Sequence, residues 1–191
     1  STVEELEGHR VSVGEEESGT KQNALQILAA YGLNEKLVEE VSLNYTEAAK
    51  ELENGSIDAF FCTAGAQTAA IANLAQRTGI RFLNVDGAAA ARLKKSYPVY
   101  DSCIIAAGTY PGQEEDVSTV GVKAVLLASD SVSAEVVEEL TALLFEEQQE
   151  LDFALPVELI TDADAAADGI SVPFHKGAER YYESRGEKSE N

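Results

Sequence analysis

The residues from Val11 to Thr20 place a strand, a tight turn and a helix start in direct succession. Residues 11–13 alternate as in a β-strand and run into Gly14. Ser18 stands where a helix N-cap belongs. The apolar residues that follow recur at the spacing of one buried helical face: Ala24, Ile27, Leu28 and Tyr31. The segment therefore predicts a strand–loop–helix unit of an α/β protein.

A helix start of this kind is suited to bind an anion. Its first N–H groups lack partners within the helix, the helix dipole is positive at that end, and the Ser18 and Thr20 hydroxyls can add donors. No dinucleotide or Walker fingerprint is present. Glu15–Glu17 would repel a bare anion, so a zwitterion whose cationic group pairs with a residue such as Glu15 fits better. The alternative is an ordinary capped turn without a ligand.

The chain repeats this design one strand later. Residues 57–62 are almost continuously apolar, which predicts a central strand covered on both faces. The polar and small residues Thr63, Ala64, Gly65 and Gln67 then lead into a helix predicted over residues 67–77.

Further strands predicted over residues 40–45 and 80–85, and a helix over residues 87–96, complete an alternation across residues 8–96. Thr46 is the expected cap of the helix after the first of these strands. The alternation predicts an open, parallel-rich sheet with helices on both faces. Such sheets bind ligands at the carboxyl ends of their strands, where both loops lie.

The C-terminal part has a different character. Two long apolar segments, residues 100–110 and 117–128, flank a Pro-Gly turn, and Ser133 caps a helix whose glutamates predict a solvated face. Residues 152–176 have no regular pattern. Asp162 to Asp168 lacks the ligand spacing of a calcium loop and predicts a surface turn or short helix.

Composition limits the possible partners. The 191 residues carry a formal net charge of -20, which argues against nucleic acid or an anionic membrane as a partner. Two histidines without clustered cysteines predict neither a metal site nor a cofactor. Cys62 and Cys103 fall in predicted strands, which favours two buried thiols over a disulfide. The first residues show neither an initiator Met nor a signal peptide, as in a processed or truncated product.

Four segments together resemble the TAXI-type solute receptors of TRAP transporters, which are similar to type II periplasmic binding proteins. They occur in the family's order: residues 14–20 with Leu28 and Gly32, residues 63–65, residues 108–112, and residues 173–178 with Tyr181 and Tyr182. The resemblance implies that residues 7–103 form a complete α/β lobe with the ligand loops. Residues 104–191 would supply the hinge return, a strand and the C-terminal helices of a partner lobe whose N-terminal part is absent.

The resemblance also implies a function. The chain would be an extracytoplasmic receptor, not an enzyme, that closes on a small carboxylate or amino acid such as glutamate and delivers it to a membrane permease. Ser18, Gly19 and Thr20 would contact the ligand's carboxylate, and residues 63–65 would add hydroxyl and backbone donors. The Tyr110 ring would cover the ligand, or simply pack. Without the missing lobe, strand 117–128 would lack sheet neighbours and invite a homodimer.

Two other functions remain open on sequence alone. An enzyme on the same fold would use Cys62 as its nucleophile, although no neighbouring His or Lys lowers the pKa of that thiol. An effector-sensing domain cut from a regulator is the third possibility. His175 is expected to bond the backbone at a turn rather than act as a general base. Of Tyr181 and Tyr182, one is expected to pack and the other to be exposed.

Overall fold

The computed structural model describes residues 2–147 and 162–189, which form two compact units, Ser1–Lys123 and Ala124–Asn191. A short 3-10 helix over Val3–Leu6 precedes the first strand. The first unit then contains β1 (Arg10–Ser12), α1 (Gly19–Ala30), β2 (Glu39–Val41), α2 (Tyr45–Glu53), β3 (Ala59–Phe60), α3 (Ala69–Arg77), α4 (Gly87–Ser96), β4 (Tyr100–Ile105) and β5 (Val117–Val122). The second unit contains α5 (Ala134–Glu146), α6 (Ala163–Ala167) and α7 (Lys176–Ser189).

A parallel sheet organises the first unit, as the alternation predicted. Its order is β2-β1-β3, and β1 pairs in parallel with both neighbours. The prediction of a central strand at residues 57–62 is wrong, because β3 covers only Ala59–Phe60 and lies at the edge of these three strands. β1 takes the central position, and Val11, Ser12 and Val13 are at most 1% exposed.

The core of this unit lies on the face of β1 that carries Val11 and Val13. Successive side chains along a strand point to opposite faces of the sheet. Val11 and Val13 are two residues apart and therefore share a face. They belong to one apolar cluster with Leu28 of α1 and Leu93 of α4. α1 and α4 contact each other, and α2 contacts both β3 and α3. Helix packing against β1 therefore fixes the position of the α1 N-terminus at the end of that strand.

Two predicted strands differ from the structure. Residues 80–85 form no strand, although the Val85 amide donates to the Ser118 carbonyl at 2.9 Å beside β5. β2 ends at Val41, and Tyr45 begins α2 instead of ending a strand. Thr46 is not the cap: Asn44 and Glu47 form a capping box whose reciprocal hydrogen bonds start the helix at Tyr45.

The expectation that residues 117–128 lack a sheet neighbour is also wrong. β5 ends at Val122 and pairs antiparallel with β4 over its whole length, from Tyr100 opposite Val122 to Ile105 opposite Val117. This pairing explains why the first unit extends to Lys123, beyond the boundary expected near residue 103. Cys103, on β4, is exposed rather than buried, and both Cys62 and Cys103 are free thiols.

The second unit is built on contact between α5 and α7. Ser133 caps α5 as predicted, because its hydroxyl accepts a hydrogen bond from the Val136 amide. Gly177 allows the close approach of the helices: a Cβ at this position would collide with the Ala134 carbonyl and with Val137 Cβ, 2.8 Å away. The packing is therefore tight at the start of α7.

The remaining C-terminal predictions are partly confirmed. The aspartate-rich segment forms the short helix α6, capped by Asp162. Tyr181 is buried, while Tyr182 is half-buried against Phe145 and Phe174 rather than exposed. Residues 152–161 of the segment expected to be irregular lie outside the described residues. Among the helices that the structure describes, none has the length and apolar character needed to cross a membrane.

Candidate functional site

The N-terminus of α1 follows the carboxyl end of β1 and begins at a well-formed cap. The Ser18 hydroxyl accepts a hydrogen bond from the Lys21 amide at 3.1 Å and donates to the Glu15 carbonyl at 2.7 Å. The amides of Gly19 and Thr20 precede the first bond within the helix and point out of its end. This junction therefore offers two backbone N–H groups and the positive end of the helix dipole.

The loop before this helix is held close to β1. Gly14 has a φ of 101°, and a Cβ there would lie 2.8 Å from Thr20 Cγ2 and 3.1 Å from the Lys21 amide nitrogen. Only glycine allows this contact without strain. Glu17 adopts a φ of 62°, which is uncommon for a residue other than glycine. The turn is thus fixed by both a close approach and an unusual backbone conformation.

The second loop, residues 63–68, follows β3 at the same edge of the sheet. Thr63 and Ala64 are exposed, Gly65 is half-buried, and Gln67 is exposed with a φ of 65°. The Thr68 hydroxyl donates to the Gly65 carbonyl at 2.8 Å and closes the turn. The predicted helix begins two residues later than expected, at Ala69, with Thr68 at the N-cap position.

Tyr45 joins the two loops. Its hydroxyl lies 2.6 Å from Thr20 Oγ1, donates to the Thr63 carbonyl at 2.9 Å, and accepts from the Thr63 amide at 3.2 Å. One phenol oxygen thus contacts the start of α1 and the first residue of the second loop. The structure brings together Thr20 and Thr63, as the strand-end rule predicted.

These contacts decide which hydroxyl donors remain for a ligand. The Thr63 carbonyl can only accept, so the arrangement that satisfies every group has Tyr45 donating to it and Thr20 donating to Tyr45. The proton of Ser18 is used on the Glu15 carbonyl. The sequence pattern predicted that the hydroxyls of Ser18 and Thr20 would both donate to the ligand. In the structure, the Thr63 hydroxyl and the outward-pointing amides fit that role better.

Two further side chains position Thr63, and sequence reasoning missed both. Asn23 Nδ2 donates to Thr63 Oγ1 at 3.2 Å, and the Tyr100 hydroxyl lies 2.8 Å from Asn23 Oδ1 and 2.7 Å from Gln26 Oε1, which share its single proton. Burial raises the pKa of Tyr100 further above neutrality. The signal for Asn23 was its place one turn after Gly19 on the same helix. Tyr100 gave none, because its contact depends on the return of β4.

The acidic loop is partly neutralised within the protein. Glu16 Oε1 lies 2.7 Å from Lys21 Nζ and accepts from the Ser42 hydroxyl at 2.7 Å. The hydrogen bond from Lys21, followed by that from Ser42, lowers the pKa of the Glu16 carboxyl. Glu15 contributes its carbonyl to the cap, and its side chain is exposed beside that of Glu17. Two exposed carboxylates therefore flank the helix start.

Tyr110 occupies a packing position at the second helix. It is 3% exposed, its ring centroid lies 5.1 Å from that of Phe82, and its hydroxyl accepts from the Thr68 amide at 3.1 Å. These contacts match the packing alternative given for this residue. Tyr110 therefore bonds the N-cap amide of α3, as the Glu15 carbonyl bonds the N-cap amide of α1, that of Ser18, at 3.2 Å.

The chemistry of Cys62 does not suit a nucleophile. Burial raises the pKa of this thiol to about 11, so the thiolate is scarce near neutral pH. His175, the other catalytic candidate, accepts a hydrogen bond from the Gly177 amide through Nδ1 at 3.2 Å, as expected of a structural histidine. Among the described residues, no group of three or more His, Cys, Asp or Glu is placed to hold a metal.

A cavity of about 580 Å³ lies in the second unit between α5 and α7. Four glutamates line it: Glu135, Glu138, Glu139 and Glu146. Their charge would repel an anionic solute. The buried Tyr181 hydroxyl has no hydrogen-bond partner, but it is closed to solvent and offers nothing to a ligand in the cavity. This cavity is therefore a poor alternative to the loop site for a carboxylate.

The structure has a parallel sheet with helices and two polar loops at the carboxyl ends of adjacent strands, which is compatible with a periplasmic-binding-protein-like fold. The model of the NMT1-like family matches residues 1–186. The chain belongs to this family, whose members are binding proteins rather than enzymes and resemble periplasmic binding proteins.

Proposed function

We propose that the chain is an extracytoplasmic solute-binding receptor of a TRAP-type transporter of the TAXI kind, binding a small carboxylate or amino acid. The observation that carries this proposal is the junction at α1, where the helix start is linked to the loop that begins at Thr63 through the Tyr45 hydroxyl and through Asn23. Family membership supports a solute-binding role in general and an extracytoplasmic location. The type II lobe division remains part of the proposal.

A ligand carboxylate would accept from the amides of Gly19 and Thr20 and from the Thr63 hydroxyl. Ala64 and Gly65 would supply further backbone donors. The positive end of the α1 dipole favours a negative charge at this position. Ser18, through its cap, and Gln67, through its positive φ, would shape the two loops rather than bind the ligand by their side chains.

The charges around the loop favour a zwitterion. Glu16 is paired with Lys21, whereas Glu15 and Glu17 present exposed carboxylates to an approaching solute. An ammonium group on the ligand would pair with Glu15 while its carboxylate meets the helix end. L-glutamate carries both groups.

A panel of matched solutes tests the proposal. L-glutamate and glutarate share two carboxylates and differ in the amino group, while putrescine has only cationic groups. At 100 times its dissociation constant, a ligand stabilises the fold by about 2.7 kcal/mol. We expect a higher melting temperature with L-glutamate, a smaller rise with glutarate and none with putrescine. The absence of a rise with any amino acid or small dicarboxylate would contradict the proposal.

The membrane permease of the transporter is the proposed partner. Vesicles that contain TRAP permease subunits should take up radiolabelled ligand only when this protein is present on the outside. Uptake that is independent of the protein would argue against delivery, while leaving ligand binding intact.

A second copy of this chain is the other proposed partner, and the two copies would pair through the antiparallel strands β4 and β5. Ile104 on β4 is 67% exposed, an unusual position for such an apolar side chain. Light scattering should give the mass of a dimer at high protein concentration, and Ile104→Asp should return the monomer mass. A monomer at every concentration would remove the dimer from the proposal.

A further inference from the structure

Two tyrosines of the first unit use their hydroxyls in the same way. The Tyr31 hydroxyl donates to the Asp86 carbonyl at 3.0 Å and accepts from the Asp86 amide at 2.8 Å. The Tyr45 hydroxyl has the same two bonds to the backbone of Thr63. Tyr45 differs by its third contact, 2.6 Å from Thr20 Oγ1. Of these two tyrosines, Tyr45 is the one that connects two parts of the candidate site, which the Asn23 bond to Thr63 Oγ1 also links.

We propose that Tyr45 is the positioning residue of this site. Its hydroxyl fixes the spacing between the N-terminus of α1 and the loop that begins at Thr63, so that donors from both segments face the same ligand. This inference rests on the proposed function for its consequence in binding. Its structural part, the coupling of the two segments by one hydroxyl, stands on the contacts alone.

The position of the phenol does not depend on either loop. Tyr45 is the first residue of α2, and the capping box of Asn44 and Glu47 fixes this helix start. The helix therefore holds the hydroxyl at a set point, to which Thr20 and Thr63 are bonded. Thr20 is 7% exposed, so water cannot readily replace the phenol at its hydroxyl.

Loss of the hydroxyl has consequences on both sides. Tyr45→Phe keeps the ring but leaves the Thr63 amide, the Thr63 carbonyl and the Thr20 hydroxyl without this partner. The bond from Asn23 to Thr63 Oγ1 would remain, but it holds only the side chain of Thr63, and the backbone of the second loop could move relative to α1. The amides at the helix end and the Thr63 hydroxyl would no longer be held in one arrangement, and a ligand would have to order them on binding.

Amide spectra of the full chain, recorded by NMR without ligand, test the structural part. Tyr31→Phe is the matched control, since it removes the same kind of hydroxyl at Asp86. We expect Tyr45→Phe to shift the amide signals of both Thr20 and Thr63, and Tyr31→Phe to leave these two signals in place. Shifts confined to Thr63 in the Tyr45→Phe spectrum would overturn the coupling.

Titration of the same three proteins with L-glutamate tests the consequence. Because three polar groups lose their shared partner, we expect Tyr45→Phe to weaken binding about tenfold, and Tyr31→Phe to change it less than twofold. Equal weakening in both variants would reduce Tyr45 to a general stabilising residue and overturn the inference. If the wild-type chain binds no solute of the panel, the proposed function fails, while the ligand-free spectra still decide the coupling.

Discussion

Residues 14–18 and residues 63–68 each connect a parallel strand to a helix, and each contains one non-glycine residue at a positive φ, Glu17 or Gln67. The helix starts differ. Ser18 caps α1 through its side chain, and its amide donates to the Glu15 carbonyl within the same loop. The Thr68 side chain makes no cap, and its amide donates to the hydroxyl of the buried Tyr110. Similar sequence patterns thus give one junction whose hydrogen bonds lie within its own loop and one that is packed against a distant tyrosine.

The largest change in stability should come from substitution of Gly14, a residue of the first loop whose close approach to Thr20 leaves no room for a Cβ. Gly14→Ala forces a Cβ against Thr20 at a φ of 101°. We expect the free energy of unfolding, measured in urea, to fall by about 3 kcal/mol. Gly19→Ala is the control, because a Cβ at Gly19 meets nothing within 4 Å. Equal losses in the two variants would show that the close approach is not needed.

The next largest effect should be on the alkylation rate of Cys62, the residue directly before the second loop. Burial raises the pKa of Cys62 from 9.0 to about 11, so its thiolate fraction at pH 8 falls about a hundredfold. In a Cys103→Ser variant, alkylation of Cys62 should be slower by that factor than that of a free cysteine model thiol. Rapid alkylation would restore the nucleophile hypothesis.

The same shift predicts a pH dependence with a definite sign. Above pH 9 the unfolded chain loses the Cys62 proton, while the folded chain keeps it until about pH 11. The contribution of this thiol to stability is therefore complete below pH 9 and lost as the pH rises towards 11. Cys62→Ala should flatten this part of the stability profile, and an unchanged profile would contradict the burial of the thiol.

A smaller effect should separate the two N-cap residues. Ser18→Ala removes the side-chain bond to the Lys21 amide and should cost about 1 kcal/mol of stability. Thr68→Ala removes the bond within the turn to Gly65 and a weak contact with the Cys62 thiol, and we expect a loss of about half that size. Calorimetric unfolding of both variants measures the difference. A greater loss for Thr68→Ala would reverse the assignment of the capped helix.

The smallest effect concerns the left-handed residue of the second loop. Gln67→Gly relieves the cost of a φ of 65° but adds freedom to the unfolded chain, so we expect a change within about 0.5 kcal/mol. Gln22→Gly, at an exposed position within α1, should instead cost about 1 kcal/mol. Similar losses at both positions, measured in urea, would indicate that Gln67 is not strained.

Local chemistry explains which elements the sequence predicted well. The Ser18 and Ser133 caps and the bounds of α4 at Gly87 and Ser96 depend on neighbouring residues, and all are found as expected. The start of α2 was missed because alternation over residues 40–45 outweighed the capping-box pattern of Asn44 and Glu47. That pattern was present in the sequence and would have placed Tyr45 on a helix.

Pairing between distant segments explains the rest. Residues 80–85 are apolar enough for a strand, but β5 forms its ladder of hydrogen bonds with β4 instead.

The candidate site likewise combines contacts that the sequence predicts with contacts that it does not. The position of Thr63 near the α1 N-terminus followed from the strand-end rule, whereas its support by Asn23 and Tyr100 depends on a contact 77 residues apart in the chain. No spacing in the sequence predicts such a contact.

The central claim is that the start of α1 binds the solute, whereas the start of α3, whose N-cap amide is bonded to Tyr110, does not. Amide spectra of the wild-type chain, recorded by NMR as L-glutamate is added, test it most directly. We predict saturable shifts of the Gly19, Thr20 and Thr63 amides, with the Thr68 amide unchanged. Shifts at Thr68 without any at Gly19 and Thr20 would contradict the claim.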